Sequence, residues 1–189
     1  MYPSVTKILD KTKDKKGLEM WRASVGDAEA DRIIQEAFKR GRLLDHNVQL
    51  YADQNHSNNP LLDDFLEPYT IQSTEQQVIS EKYCYEGRYD AILVRNGITY
   101  INDFKTASKP KKLEYIEDYK LQIGAYYGAL LEQGIRIDRG LIAIFTDKSY
   151  QEFIFLGAEM RQFYKRFLNR LKEYYVLVNI ENGKQNRTS

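Results

Sequence analysis

Two short apolar runs meet at a sharp polar turn near the middle of the chain. Residues 91–94 come before the turn, and Ile98, Tyr100 and Ile101 come after it. Between them stands Asn96-Gly97, a pair typical of a type I′ turn because both central positions of that turn need φ > 0. The pattern predicts a β-hairpin, and antiparallel pairing around this turn places position 90 opposite about position 103.

Further apolar segments predict the other strands of a sheet. Residues 76–85 alternate between apolar and polar and predict its first strand. Residues 139–146 form a nearly continuous apolar run, which is typical of a buried central strand. Residues 151–156 follow as its partner.

The flanking segments carry apolar residues at helical spacing instead. Residues 1–75 are expected to be mostly helical, residues 76–156 to hold the sheet, and residues 157–178 to form a C-terminal helix. We therefore expect an α/β fold in which the whole chain, 1–189, makes one domain.

Charged side chains stand at the open ends of the predicted hairpin. Asp90 precedes its first strand, and Asp103 and Lys105 close its second strand on one face. Two neighbouring carboxylates repel each other unless a cation lies between them. Oxygen ligands of this kind favour Mg²⁺ or Mn²⁺, so the hairpin predicts a metal site with an ammonium group beside it.

The order of these residues resembles a known nuclease superfamily. Asp90 followed by Asp103-Phe-Lys105 has the form of the PD-(D/E)XK motif, and the sequence from Gln122 to Tyr126 resembles the QxxxY motif of its RecB-type exonuclease branch. Together with Pro3-Ser-Val-Thr6, Gly87-x-x-Asp90 and Thr106, these motifs are similar to the mitochondrial genome maintenance exonuclease and its phage relatives. The resemblance implies a restriction-endonuclease-like core, with a mixed sheet of about five strands flanked by helices.

The resemblance also implies roles for individual residues. Asp90, Asp103 and the backbone carbonyl of Phe104 would bind Mg²⁺ or Mn²⁺, with Lys105 as the third catalytic residue. The residues expected along the DNA path, together with a glutamate at the edge of the site, are Gln122, Tyr126, Thr106, Ser4, Thr6 and Glu81. Lys109, in the basic loop after Thr106, could hold phosphate, although such a loop is also typical of a solvated surface.

A further metal ligand is expected from the helical segment that begins near Asp27 and is interrupted at Gly41. The family places a metal-facing His four residues after a Gly, but here that position is Asp45, and His46 comes one residue later. Positions 45 and 46 differ by about 100° around a helix, so only one of the two can face the metal. The spacing favours Asp45 without excluding His46.

Composition limits the surroundings in which this chemistry would operate. The net charge is +1, so any nucleic-acid surface must be local. A single cysteine, Cys84, leaves no ligand set for an iron–sulfur cluster within the chain. No apolar run reaches the length of a membrane span, and no targeting signal is visible. We expect no membrane association and a location in the cytoplasm of a bacterium or of a phage-infected cell.

The sequence therefore predicts a metal-dependent DNA exonuclease that acts on single-stranded DNA from an end, in phage or bacterial replication, recombination or repair. Three alternatives stay open. The chain could be a non-catalytic DNA-binding module on the same fold, a subunit of a recombination complex, or an endonuclease or junction resolvase. Strand polarity and oligomeric state are not predicted.

Overall fold

The computed structural model describes the backbone of residues 2–185 and the side chains of residues 2–181. Within that part of the chain there are six α-helices, seven strands and one 3₁₀ turn at Leu113–Tyr115. The helices are α1 Val5–Thr12, α2 Lys16–Val25, α3 Asp27–Gln54, α4 Pro60–Leu66, α5 Glu117–Glu132 and α6 Gly157–Gln185. The strands are β1 Thr70–Thr74, β2 Gln77–Ser80, β3 Tyr85–Arg88, β4 Ala91–Arg95, β5 Ile98–Thr106, β6 Arg139–Phe145 and β7 Tyr150–Leu156.

Five strands form the central sheet in the order β1-β4-β5-β6-β7. The β5–β6 pair is parallel, and the other neighbouring pairs are antiparallel. The predicted mixed five-stranded sheet is therefore confirmed. Ala91 pairs with Asn102 across the hairpin, which is the register that the Asn96-Gly97 turn predicted.

The predicted first strand at 76–85 is wrong. The central sheet begins instead with β1, inside the segment that was expected to be mostly helical, while β2 and β3 form a separate two-stranded sheet. Glu75 and Cys84 both adopt left-handed φ angles, of 53° and 58°. These residues turn the chain just before β2 and just before β3, so 76–85 folds back on itself and cannot continue as one strand.

Two layers of helices cover the central sheet. One core cluster lies between the sheet and helices α5 and α6, and it includes Ile101, Ile123 and Phe167. The second lies on the opposite face under α3 and α4, and it includes Phe65 and Phe104. Alternate residues of β5 therefore point to opposite layers, which sends Asp103 and Lys105 toward α5.

Helix α3 runs over 28 residues, so the predicted interruption at Gly41 is also wrong. Its second half packs on the core, but Ala30 is the only buried residue of its first half among the described side chains. Helix α2 contributes no buried residue. Helix α6 continues past the predicted end at 178, and no helix in the described residues is long and apolar enough to cross a membrane.

Candidate active site

The β4–β5 hairpin brings Asp90 and Asp103 together. Asp90 immediately precedes β4, and its Oδ2 atom accepts a hydrogen bond of 2.7 Å from the backbone N–H of Phe104. Asp103 lies within β5 and is fully buried. Because β5 extends four residues past its last pairing with β4, the Asp90 side chain occupies the edge that β4 leaves open.

Lys105 lies two residues beyond Asp103 on the same face of β5. Its Nζ atom donates a hydrogen bond of 2.6 Å to Asp103 Oδ1 and lies 5.2 Å from the centre of the Tyr119 ring. Burial lowers the pKa of Lys105, but the Asp103 and Asp90 carboxylates outweigh that effect and raise the pKa overall. The ammonium group therefore stays charged, held between a carboxylate and an aromatic ring.

Within residues 2–181, hydrogen bonds and the charge of Lys105 do not fully compensate the burial of the Asp90 and Asp103 carboxylates. Burial, followed by the negative charge of Asp103, raises the pKa of Asp90 to about 7. Burial also raises the pKa of Asp103, although Lys105 opposes the shift. Asp103 Oδ2 is buried without a hydrogen-bond partner. A buried carboxylate oxygen without a partner is costly, and a cation at this point would remove that cost.

The residues at this point fit a hard cation. The Phe104 N–H points to Asp90, and the carbonyl of a strand residue points to the same side as its N–H, so the Phe104 carbonyl is directed there too. Two carboxylates, one carbonyl and water suit Mg²⁺, which keeps several waters when it binds. Within residues 2–181, no three His, Cys, Asp or Glu side chains form a ready metal-binding group.

Asp45 and His46 are placed differently around α3. Both side chains are exposed, but Asp45 lines a cavity of about 440 Å³ together with Asp90, whereas His46 is not among the lining residues. Partial burial raises the pKa of Asp45, while the positive charges of Lys105 and Arg88 act in the opposite direction. The geometry therefore brings Asp45, rather than His46, into the electrostatic field of the site.

The same cavity collects most of the residues expected to contact DNA. Ser4, Thr6, Gln122 and Tyr126 all line it. Ser4 Oγ caps α1 by accepting a bond from the Lys7 N–H at 3.2 Å, and Gln122 Nε2 donates to the Tyr126 hydroxyl at 3.1 Å. Their polar groups are thus fixed along one wall of the cavity.

Three residues that were expected around the DNA path do not line this cavity. Glu81 lies exposed in the β2–β3 turn and accepts a hydrogen bond from the Tyr2 hydroxyl, because the strand expected to carry it to the site is broken there. Lys109 is exposed in the loop after β5 and lines none of the cavities described here. Thr106 lines the two adjoining cavities instead.

The cavity also contains residues that the sequence did not single out. Glu75 and Arg88 both line it and form an ion pair of 2.7 Å beside Asp90. Glu75 occupies the edge position that Glu81 was expected to take. Its place depends on the left-handed turn between β1 and β2, and no motif in the sequence marks that turn.

Comparison with known proteins supports the fold and little beyond it. No protein-family model matches the chain, and no curated protein matches it. Among solved structures, the protein SSO0001 is 15% identical with a TM-score of 0.51, over 93% of this chain and 75% of its own. An alkaline exonuclease from Laribacter hongkongensis, LHK-Exo, is 10% identical with a TM-score of 0.51, over 100% of this chain and 95% of its own. A complex of LHK-Exo with dAMP has a TM-score of 0.49 at 12% identity, over the same shares of both chains. The chain thus has a fold that is also found in an exonuclease.

Proposed function

We propose that this chain is a Mg²⁺- or Mn²⁺-dependent deoxyribonuclease that hydrolyses phosphodiester bonds. One observation carries the proposal: a single hairpin holds Asp90, Asp103 and Lys105 together, with a buried Asp103 oxygen that has no partner among the described residues. A purely structural role gives no reason to bury two repelling carboxylates side by side. The fold shared with an alkaline exonuclease supports the same reading.

In the proposed reaction, Asp90, Asp103 and the Phe104 carbonyl would hold the cation, and Asp45 of α3 would add a further carboxylate near the site. The bound cation would supply Lewis-acid stabilisation of the charge on the scissile phosphate. Lys105, fixed 2.6 Å from Asp103, is placed to orient the attacking water or to stabilise negative charge as it develops. Water adds to phosphorus, the P–O bond to the leaving group breaks, and that oxygen takes up a proton.

The substrate is proposed to be single-stranded DNA, processed from an end. This part of the proposal is supported by the resemblance of the Gln122–Tyr126 and Asp103–Thr106 motifs to the RecB-type branch and the mitochondrial exonuclease. The cavity walls agree with a strand substrate, because Ser4, Thr6 and Gln122 offer neutral hydrogen-bonding groups beside the carboxylates. We place the activity in phage or bacterial DNA replication, recombination or repair on the same resemblance.

The test uses end-labelled single-stranded and duplex DNA with Mg²⁺, Mn²⁺ or EDTA. We expect metal-dependent shortening of the single strand by the wild type and a loss of at least about 100-fold in Lys105→Ala, typical of a removed electrostatic contact. Lys82→Ala is the matched control, because Lys82 is an exposed lysine in the β2–β3 turn. It should retain wild-type activity.

Other outcomes point to the alternatives. Cleavage of circular single-stranded DNA, which has no ends, would show that the activity is that of an endonuclease and not of an exonuclease. Binding of DNA without cleavage under either metal would refute the enzyme and favour a DNA-binding module. Equal activity of Lys105→Ala and wild type would remove Lys105 from the proposed mechanism.

A further inference from the structure

A second cavity, of about 620 Å³, adjoins the candidate active site. It shares Thr6, Asp45 and Asp90 with the first cavity and is bounded by Lys105 and Thr106. Its remaining wall is apolar and comes largely from the first half of α3. Volumes between about 300 and 1,000 Å³ are typical of small-molecule sites, so this space can accept a group much larger than water.

Phe38 provides the aromatic surface of the apolar wall. Its side chain is 65% exposed. The first half of α3 contributes little to the hydrophobic core, so packing does not account for a large aromatic residue at this position. Gly41 follows on the same wall, and a Cβ atom there would meet nothing within 4 Å. The space in front of Phe38 is therefore open.

Tyr119 is another aromatic residue that lines this cavity, but its ring contacts a charged group. Its ring packs against Lys105 Nζ at 5.2 Å, so one of its faces is already occupied by the ammonium group. Phe104 also lines the cavity, but it is buried in the second core cluster, so Phe38 is the exposed ring that remains available for a planar ligand. The cavity places this ring on a wall shared with Asp45, near Asp90 and Lys105.

We propose that this cavity binds one unpaired nucleobase, stacked on Phe38, next to the phosphate that is cleaved. The inference rests on the proposed nuclease function. A nucleotide joins a charged phosphate to a flat base, and the cavity joins a polar catalytic end to an apolar aromatic end in the same way. A base inside a duplex presents no free face, so the site selects an unpaired one. Phe38 would act as a substrate-positioning residue and contact the base alone.

The experiment measures binding and does not depend on cleavage. Single-stranded 15-mers, each with one abasic position at a different distance from the end, are titrated with protein in EDTA. If one base stacks on Phe38, one abasic position should weaken wild-type binding by about 5- to 100-fold, the range expected for base–aromatic stacking. The same lesion should cost Phe38→Ala less than about 2-fold, because the stacking partner is already gone.

Two further variants make the result specific. Phe38→Trp keeps an aromatic face and should retain the full abasic penalty. Leu131→Ala removes an exposed apolar side chain at the end of α5, which does not line the cavity, and should also retain it. Since Phe38 is exposed, the Ala variant should keep the wild-type circular dichroism spectrum.

The outcomes separate this inference from the proposed function. An equal abasic penalty in wild type and Phe38→Ala overturns the base site, whether or not the wild type cleaves DNA. A position-specific penalty that vanishes in Phe38→Ala supports the site, even if no metal produces cleavage and the nuclease proposal fails. Absence of any single-strand binding overturns the base site.

Discussion

The pKa of Asp90 is raised to about 7 in the folded chain because burial and the Asp103 carboxylate both disfavour its charge. A group whose pKa rises on folding from about 4 stabilises the fold fully below pH 4, and this contribution is lost as the pH rises through 7. At pH 8 without metal, the ionised Asp90 carboxylate therefore opposes folding. Under the proposed function, a bound cation would offset this cost.

Asp90→Asn should stabilise the metal-free protein at pH 8 by about 1–2 kcal/mol, because the amide removes the charge but can still accept from the Phe104 N–H. It should also abolish any stabilisation by added Mg²⁺. Urea unfolding at pH 5 and pH 8 measures both effects. The wild type should lose stability between these pH values more steeply than the variant.

Asp138→Asn is a control, because the pKa of Asp138 shifts on folding in the direction opposite to that of Asp90. A hydrogen bond from the Thr99 N–H lowers the pKa of Asp138, so its charge favours folding above about pH 4. Its replacement should not stabilise the protein at pH 8. If Asp90→Asn also fails to stabilise, the Asp90 charge is already compensated and the argument for a cation there weakens.

At the scale of single residues, the sequence predicted those contacts that follow from the register of one short hairpin. Asp90, Asp103 and Lys105 come together because the Asn96-Gly97 turn fixes their register. Glu75 could not be found in this way, because its position depends on a left-handed turn that links two different sheets. The exposure of Phe38 could not be predicted, because helical periodicity does not show where a helix extends beyond the core on which it packs.

Helices α5 and α6 approach each other closely at Gly124, where the neighbouring atoms belong largely to the α6 backbone. A Cβ atom at this position would lie 2.7 Å from the backbone carbonyl carbon of Phe163 and from the N atom of Tyr164. Backbone atoms cannot yield as a flexible side chain can, so α6 would have to shift. Any side chain at position 124 therefore separates two helices that cover the sheet.

Gly124→Ala should lower the free energy of unfolding by about 1–3 kcal/mol, despite the better helix propensity of alanine. Gly41→Ala provides the comparison within a helix, since a Cβ atom at position 41 meets nothing within 4 Å. It should raise stability by about 0.5–1 kcal/mol. Urea midpoints with unchanged m-values would measure both changes. A stable Gly124→Ala variant would show that the two helices can separate without cost.

At the scale of elements, strong patterns were predicted and weak ones were not. The buried strand β6 and the β4–β5 hairpin were predicted, because apolar runs and turn residues mark them in the sequence. Strand β1 was missed, because it is a polar edge strand with a register shift between Ile71 and Ser73. Its residues join the sheet only because β4 offers them a partner, which is a non-local cause.

Across the whole molecule, a net charge of +1 means that the proposed DNA binding would depend on a few local cations. Arg40 lines a third cavity, of about 260 Å³, which shares Leu44 and Thr106 with the cavity beside Phe38. Its Nε atom is buried and has no hydrogen-bond partner in the part of the chain that the structure describes. Each of the three cavities thus has one cationic side chain in its lining: Arg88, Lys105 and Arg40.

Three phosphate contacts would give a slope of about −2 when the logarithm of single-strand affinity is plotted against that of salt concentration. Arg40→Gln should make this slope shallower by about 0.7, the value for one contact on a single strand. Arg42→Gln, at an exposed position that does not line the cavity, should leave the slope unchanged. Equal slopes for all three proteins would place the strand away from Arg40.

The proposed catalytic residues all come from one hairpin, whereas the walls of the adjoining cavities come largely from helices α1, α3 and α5 and from the β2–β3 sheet. Mutations that accumulate in those helices can reshape what is bound without disturbing the register that unites Asp90, Asp103 and Lys105. Under the proposed function, descendants of such a chain would keep the hydrolytic residues while their substrates diverge. The hairpin would thus let the choice of substrate evolve separately from the reaction.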